Sequence, residues 1–200
     1  ISRSHFADCI SNDLVGSDIC IAGWIEDVRD IGKLGFVSMR DFTGIMQVIV
    51  AGDMLGEIRM IPRQSCVLVE GKVQRSKAKN VEVEIKANKI FLLSKANHPL
   101  PIDPTGRVES STDKRIDSRA LDLRNPKVSA IFRLRSTALQ SIRDFLRSRR
   151  FMEVTTPKII GTSTEGGANL FRCDYFGKNA YLAQSPQLYK EQLTVGLERV

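Results

Sequence analysis

I-C-I-A-G-W-I-E-D (Ile19 to Asp27) decides the fold of the first part of this chain, because its apolar and polar residues follow each other in the short alternation of a β-strand. Four further stretches of the same kind follow it: Phe36 to Arg40, Met46 to Val50, Cys66 to Val73 and Val81 to Leu93, with glycine turns between them. Between the third and fourth stretches, Met54 to Met60 is long enough for a short helix. Five such strands suffice to close a small barrel.

A five-stranded barrel interrupted by a helix after its third strand is the sequence pattern of an OB-fold, and another small barrel or sandwich is the alternative. This domain is expected over residues 1–95. Pro99, Pro101 and Pro104 then break any regular element, so residues 96–124 read as a linker or hinge. A second domain is expected over 125–200. It opens after Asn125-Pro126 with a long helix carrying Ile131, Leu134, Ala138, Ile142 and Phe145 on one stripe. The helix is expected to end near Arg149-Arg150, and Met152 to Thr155 reads as a strand running into Pro157. Phe171 to Tyr175 and Ala180 to Ala183 read as a hairpin with its turn at Gly177-Lys178-Asn179. A last helix starts at Pro186, with Ser185 as its N-cap.

The chain has 200 residues, 42% hydrophobic and 26% charged, the composition of an ordered globular protein. No apolar run is long enough to span a bilayer and the opening residues have no signal-peptide core, so a cytoplasmic protein with no membrane partner is expected. The four cysteines, Cys9, Cys20, Cys66 and Cys173, form no C-x-x-C, and only His5 and His98 can join them. No metal site and no disulfide framework are therefore expected from these residues. The net charge of +7 suits a polyanionic partner, although a modest basic excess also serves solubility. Residues 1–93 hold 12 Lys and Arg against 12 Asp and Glu, and residues 94–200 hold 18 against 11. The first domain must then bind RNA, if it does so, through local patches and stacking.

Phe36 shares a strand face with Ser38 and Arg40 while Val37 and Met39 take the other, and a phenylalanine among polar residues suits stacking on an unpaired base. Burial under a loop or the neighbouring domain is the alternative. Gln47 and Glu84 sit at comparable positions among apolar neighbours. An amide and a carboxylate can read base edges, though each also fits a solvated strand face. Lys72, Arg75, Lys77 and Lys79 form a basic run suited to phosphate contacts or to a plain solvated turn. In the second domain Glu165 precedes two glycines in a polar segment that can open and close. Ser185, Gln187 and Lys190 cluster at a helix start, with Gln187 and Lys190 about one turn apart. An ordinary surface turn and an exposed helical lysine are the alternatives for these two groups.

Taken together, G-W-I-E-D-V-R-D-I-G-K-L-G-F (Gly23 to Phe36), V-E-V-E-I (Val81 to Ile85), L-D-L-R-N-P (Leu121 to Pro126), T-E-G-G-A (Thr164 to Ala168) and Q-S-P-Q-L-Y-K (Gln184 to Lys190) resemble the aspartyl-tRNA synthetases of archaeal and eukaryotic cytosolic type. The fold class implied is α+β: an N-terminal OB-fold β-barrel followed by the first part of a class II synthetase antiparallel-sheet catalytic domain. By this resemblance Phe36, Gln47 and Glu84 contact anticodon bases, Phe36 by stacking. The helix and the strand ending in Pro157 build a homodimer interface. Glu165 lies near the ammonium of the amino acid, Ser185 and Gln187 line its pocket, and Lys190 pairs with the aspartate side chain. The resemblance also implies ATP and Mg2+ as cofactors. The partner is a tRNA for aspartate, or for both aspartate and asparagine. The phosphate-binding arginine and the magnesium ligands are expected beyond residue 200, so no complete catalytic set is expected within it. A non-catalytic RNA-binding and dimerisation module, or a sibling charging asparagine or lysine, are the alternatives.

Overall fold

The computed structural model describes residues 2–78, 80–161 and 170–200, and the chain divides into two compact units, residues 1–129 and 130–200.

In the first unit the alternating stretches form β1 (Asp18–Asp30), β2 (Leu34–Arg40), β3 (Ile45–Ala51), β4 (Cys66–Arg75) and β5 (Val83–Ser94). The expected helix is α1 (Asp53–Arg59), between β3 and β4. The strands close into a barrel in the order β1-β2-β3-β5-β4, with every pair antiparallel except β3 and β5. This is the OB-fold. The inward set of the alternation makes the core, including Ile21 and Ile25 of β1, Val37 and Met39 of β2, Val48 and Val50 of β3, Val69 of β4 and Ile85 of β5. Leu55 and Ile58 of α1 join them, so the helix buries its apolar side on the barrel. Each fully buried aliphatic side chain contributes about 1.5–3 kcal/mol. At Gly71 the barrel allows no side chain: a Cβ there would lie 2.5 Å from the carbonyl oxygen of Lys86. The register of β4 against β5 shifts at this same place, between Glu70 and Gly71.

Polar groups inside the unit are paired. Glu26 is buried and bonds Arg40 across β1 and β2. Asp41, also buried, accepts from the N–H of Thr43 (2.7 Å) and Gly44 (3.0 Å) and from Thr43 Oγ1 (2.6 Å), closing the β2–β3 turn. Its other oxygen accepts from the Ala7 N–H at 2.9 Å and so ties down the segment before β1. Burial pulls this carboxyl up, but the hydrogen bonds from Thr43, Ala7 and Gly44 outweigh it and leave the group below its ordinary range.

Residues 95–111 carry no regular element, in line with their prolines, and two short helices follow, α2 (Thr112–Asp117) and α3 (Arg119–Asp122). This stretch is fastened to the barrel. The Ala96 N–H donates to Ser65 Oγ at 3.0 Å, Arg124 Nη1 donates to the Gln64 carbonyl at 3.1 Å, and the Arg124 guanidinium lies 4.5 Å from the Trp24 ring centroid. Burial there pushes Arg124 below its ordinary pKa.

The helix α4 (Pro126–Ser148), whose residues from Ala130 on belong to the second unit, ends just before Arg150, whose positive φ of 65° stops it. Its apolar stripe is open: Ile131 is 62% exposed, Leu134 70%, Ile142 57% and Phe145 56%, so the described residues do not cover it. The expected strand at Met152 to Thr155 does not form among the described residues. A strand exists only where its backbone finds a ladder, and here the Met152 N–H donates to the Arg199 carbonyl at 2.9 Å instead. Pairing falls two residues past Pro157, where β6 (Ile159–Ile160) joins a sheet of order β6-β8-β7 with β7 (Arg172–Tyr175) and β8 (Lys178–Leu182). The hairpin turn is Phe176-Gly177, one position earlier than expected, with φ of 51° and 73°. Two left-handed residues suit a two-residue hairpin, and glycine takes the second without strain. Finally, α5 (Gln187–Leu197) starts one residue after Pro186. Pro186 is its N-cap; Ser185, one place earlier, accepts the Gln187 N–H on Oγ at 3.2 Å.

No helix among the described residues is long and apolar enough to cross a membrane.

Candidate anticodon groove and amino-acid pocket

The outward set of the barrel alternation builds a groove. Phe36 on β2 stands in register between Arg29 of β1 and Ile49 of β3, Gln47 stands opposite Ser38, and Glu84 stands opposite Gln74 of β4. All of these residues line one cavity of about 750 Å³, together with Lys77 and Lys86. The structure thus brings Phe36, Gln47 and Glu84 to one place although the sequence spreads them over three strands.

Phe36 and Gln47 are half-buried, whereas Glu84 is only 4% exposed. Its burial is compensated by three donors: Gln47 Nε2 to Oε2 (2.8 Å), Ser76 Oγ to Oε2 (3.0 Å) and Gln74 Nε2 to Oε1 (3.0 Å). Glu84 is therefore not on a solvated strand face. Gln74 and Ser76 escaped the sequence reading. Their signal was present in the alternation after inward-facing Val73, which puts both on the groove side. Of the basic run, Lys77 lines the groove, Lys72 lies 3.9 Å from Asp18, and Lys79 lies outside the described residues. An aromatic ring, a fixed amide, a buried carboxylate and lysines in one groove can chemically supply stacking, edge reading and phosphate attraction.

In the second unit Ser185, Gln187 and Lys190 line one pocket of about 550 Å³ at the start of α5, with Glu191, Thr194 and Val195. Gln187 Nε2 donates to Glu191 Oε1 at 2.9 Å, and Lys190 is exposed. Glu165 lies outside the described residues. Pro157 is exposed and follows the buried Thr156. Among the described residues no three His, Cys, Asp or Glu converge on one point.

Two family models match the chain: an OB-fold nucleic acid binding domain over residues 19–93 and the tRNA synthetases class II (D, K and N) over residues 111–200. The aspartate–tRNA(Asp) ligase of Pyrococcus horikoshii is 41% identical over 99% of this chain and 47% of its own length. The aspartate–tRNA(Asp/Asn) ligase of Methanothermobacter thermautotrophicus is 39% identical over the whole of this chain and 47% of its own length. Among solved structures, the asparaginyl-tRNA synthetase of Pyrococcus horikoshii superposes with a TM-score of 0.87 at 30% identity, over 98% of this chain and 46% of that one. A putative aspartyl-tRNA synthetase of Leishmania major does so with a TM-score of 0.85 at 31% identity, over 98% of this chain and 41% of that one. The chain spans about half the length of the curated relatives it matches. Matched along 99% of its length by aspartate–tRNA(Asp) ligases and in its two parts by these models, the chain is a homologue of the aspartate–tRNA ligases that carries an OB-fold nucleic acid binding domain and a class II tRNA synthetase (D, K and N) region.

Proposed function

We propose that this chain is the anticodon-reading barrel and part of the catalytic domain of an aspartate–tRNA ligase. The observation that carries the reading is the meeting of Phe36, Gln47 and Glu84 in one groove on an OB-fold. Phe36 stacks on an anticodon base, Gln47 addresses a base edge with Glu84 behind it, and Lys77 and Lys86 attract the backbone. In the second unit Ser185 and Gln187 hold the amino acid, Lys190 pairs with the aspartate side chain, and Glu165 meets the ammonium. A lysine favours aspartate because neutral asparagine gains no comparable charge-assisted hydrogen bond.

The reaction has two steps. The α-carboxylate of aspartate attacks the α-phosphate of ATP, forming aspartyl-adenylate and releasing pyrophosphate. The terminal ribose hydroxyl of the tRNA then attacks the aspartyl carbonyl, and AMP leaves. Mg2+ supplies charge neutralisation of the phosphates in the first step. Residues of this chain bind and orient the amino acid and the tRNA, which is where positioning enters the rate. On their own, the 200 residues bind tRNA and form no adenylate. The longer protein is a cytoplasmic homodimer joined through the open stripe of α4 and the segment ending at Pro157.

An asparagine-charging enzyme is the second reading, favoured by the superposition on an asparaginyl-tRNA synthetase. The higher identity to the curated aspartate–tRNA ligases, and the lysine at position 190, support the first.

The test is binding of the 200-residue protein to an aspartate tRNA transcript and to one with its central anticodon base changed, at fixed moderate salt. A preference for the matched anticodon of at least about tenfold, roughly 1.4 kcal/mol, is expected. Equal binding to both, governed by salt alone, would overturn the reading.

A further inference from the structure

Glu84 is surrounded by neutral donors, and a carboxylate can only accept. Each of its three partners must therefore present hydrogen: Gln47 and Gln74 through Nε2, Ser76 through its hydroxyl. This settles the amide orientations by chemistry, because an amide oxygen turned towards the carboxylate would repel it. Ser76 is itself held from two sides. Its N–H donates to the Glu82 carbonyl at 2.9 Å, and its Oγ accepts the Ala78 N–H at 3.1 Å. With the Ala78 bond taken, the hydroxyl proton is left for Glu84. Of the roughly four acceptor directions of a carboxylate, three are taken, which leaves Glu84 little capacity to bond a base directly.

We infer that Gln74 and Ser76 are positioning residues that hold Glu84 as a fixed acceptor, so that Glu84 turns Gln47 with its oxygen away and the groove addresses an N–H on the base edge. This rests on the anticodon reading proposed above. The sequence reading has Glu84 contact a base directly; here Glu84 acts through Gln47. The distinction has consequences for selectivity. Uracil and guanine carry an imino N–H in the middle of the pairing edge, and cytosine and adenine carry a lone pair at the same place. An outward amide oxygen bonds the former pair and is repelled by the latter. The aspartate anticodon, read from the genetic code as G-U-C, offers such an N–H at its first and central bases.

The test uses the 200-residue protein and anticodon stem–loop RNAs carrying G-U-C, with the first base exchanged for adenosine or the central base for cytidine or N3-methyluridine. Wild type is expected to prefer the N–H-bearing base by about tenfold or more at one of these positions, and, where this is the central base, to reject N3-methyluridine as it rejects cytidine. Gln74→Met combined with Ser76→Ala should bring the preference below about threefold while the salt dependence of binding stays as in wild type. Ser76→Thr, which keeps the hydroxyl, should retain it. Glu84→Gln should let the Gln47 amide turn and shift preference towards the base with a lone pair. A purely structural role for Gln74 and Ser76 would lower affinity for every RNA alike and leave the ratios unchanged. Unchanged ratios in the double variant, with a folded protein by melting, overturn this inference and leave the anticodon reading intact. A wild type with no base preference at any position overturns both.

Discussion

Replacing Phe36 by alanine separates stacking from charge in the groove. The ring is half-buried between the registered neighbours Arg29 and Ile49, so one part of it belongs to the fold and another to the ligand. A fully buried Phe→Ala change costs about 3–5 kcal/mol, and roughly half of that applies to a half-buried ring. Against a domain stability of about 5–15 kcal/mol the variant still folds, with a lower melting temperature. A base stacked on an aromatic platform contributes about 1–3 kcal/mol, equivalent to roughly fivefold to 150-fold in Kd. The ring neutralises no phosphate, so the slope of log affinity against log salt should not change. Fluorescence anisotropy with a labelled aspartate anticodon stem–loop, titrated at several salt concentrations alongside a melt, measures both quantities. Phe36→Trp should keep most of the affinity, since it keeps an aromatic face. An unchanged affinity in Phe36→Ala, or a loss accompanied by a shallower salt slope, would refute the stacking argument.

Other perturbations follow from particular contacts. Asp41→Asn should destabilise the barrel by about 1–3 kcal/mol at neutral pH, because hydrogen bonds centred on a buried carboxylate are weakened. The Asp41 carboxyl lies below its ordinary range when folded, so its stabilisation is complete above the unfolded value of about 3.9 and fades as pH falls through the folded one. The gap in stability between wild type and Asp41→Asn should therefore close in acid, and a gap independent of pH would count against that assignment. Gly71→Ala should cost about 1–3 kcal/mol in a denaturant melt, since a Cβ 2.5 Å from the Lys86 carbonyl oxygen forces β4 and β5 apart. In the aspartate–tRNA ligase proposed above, Lys190→Leu should lower kcat/KM for aspartate by at least about tenfold with little effect on tRNA affinity. If aspartate selectivity survives, Lys190 does not contact the substrate side chain. Leu134→Glu with Ile142→Glu on α4 should abolish self-association in analytical ultracentrifugation without lowering the melting temperature, because both side chains are exposed within the chain.

The barrel was legible in the sequence because the period-two alternation is a local property: Val37 and Met39 go inward and Phe36 and Ser38 outward whatever the strand pairs with. The same alternation, with the helix between the third and fourth strands, carried the OB-fold and put Phe36, Gln47 and Glu84 forward as site residues. Pairing is long-range, and there the sequence was silent or misleading. Met152 to Thr155 has the residues of a strand but no ladder among the described residues, and the pairing went instead to Ile159 and Ile160. The proline-rich stretch after the barrel reads as a linker or hinge, and its local composition says nothing of the return of Arg124 to Trp24 and Gln64, residues far from it in sequence. Glu84 shows the division most clearly: its strand face followed from its neighbours, but its burial depended on Gln47, Gln74 and Ser76 arriving from β3 and the end of β4. Local periodicity determines which way a side chain points; only closure of the barrel determines what it meets there, because that depends on which strands lie side by side.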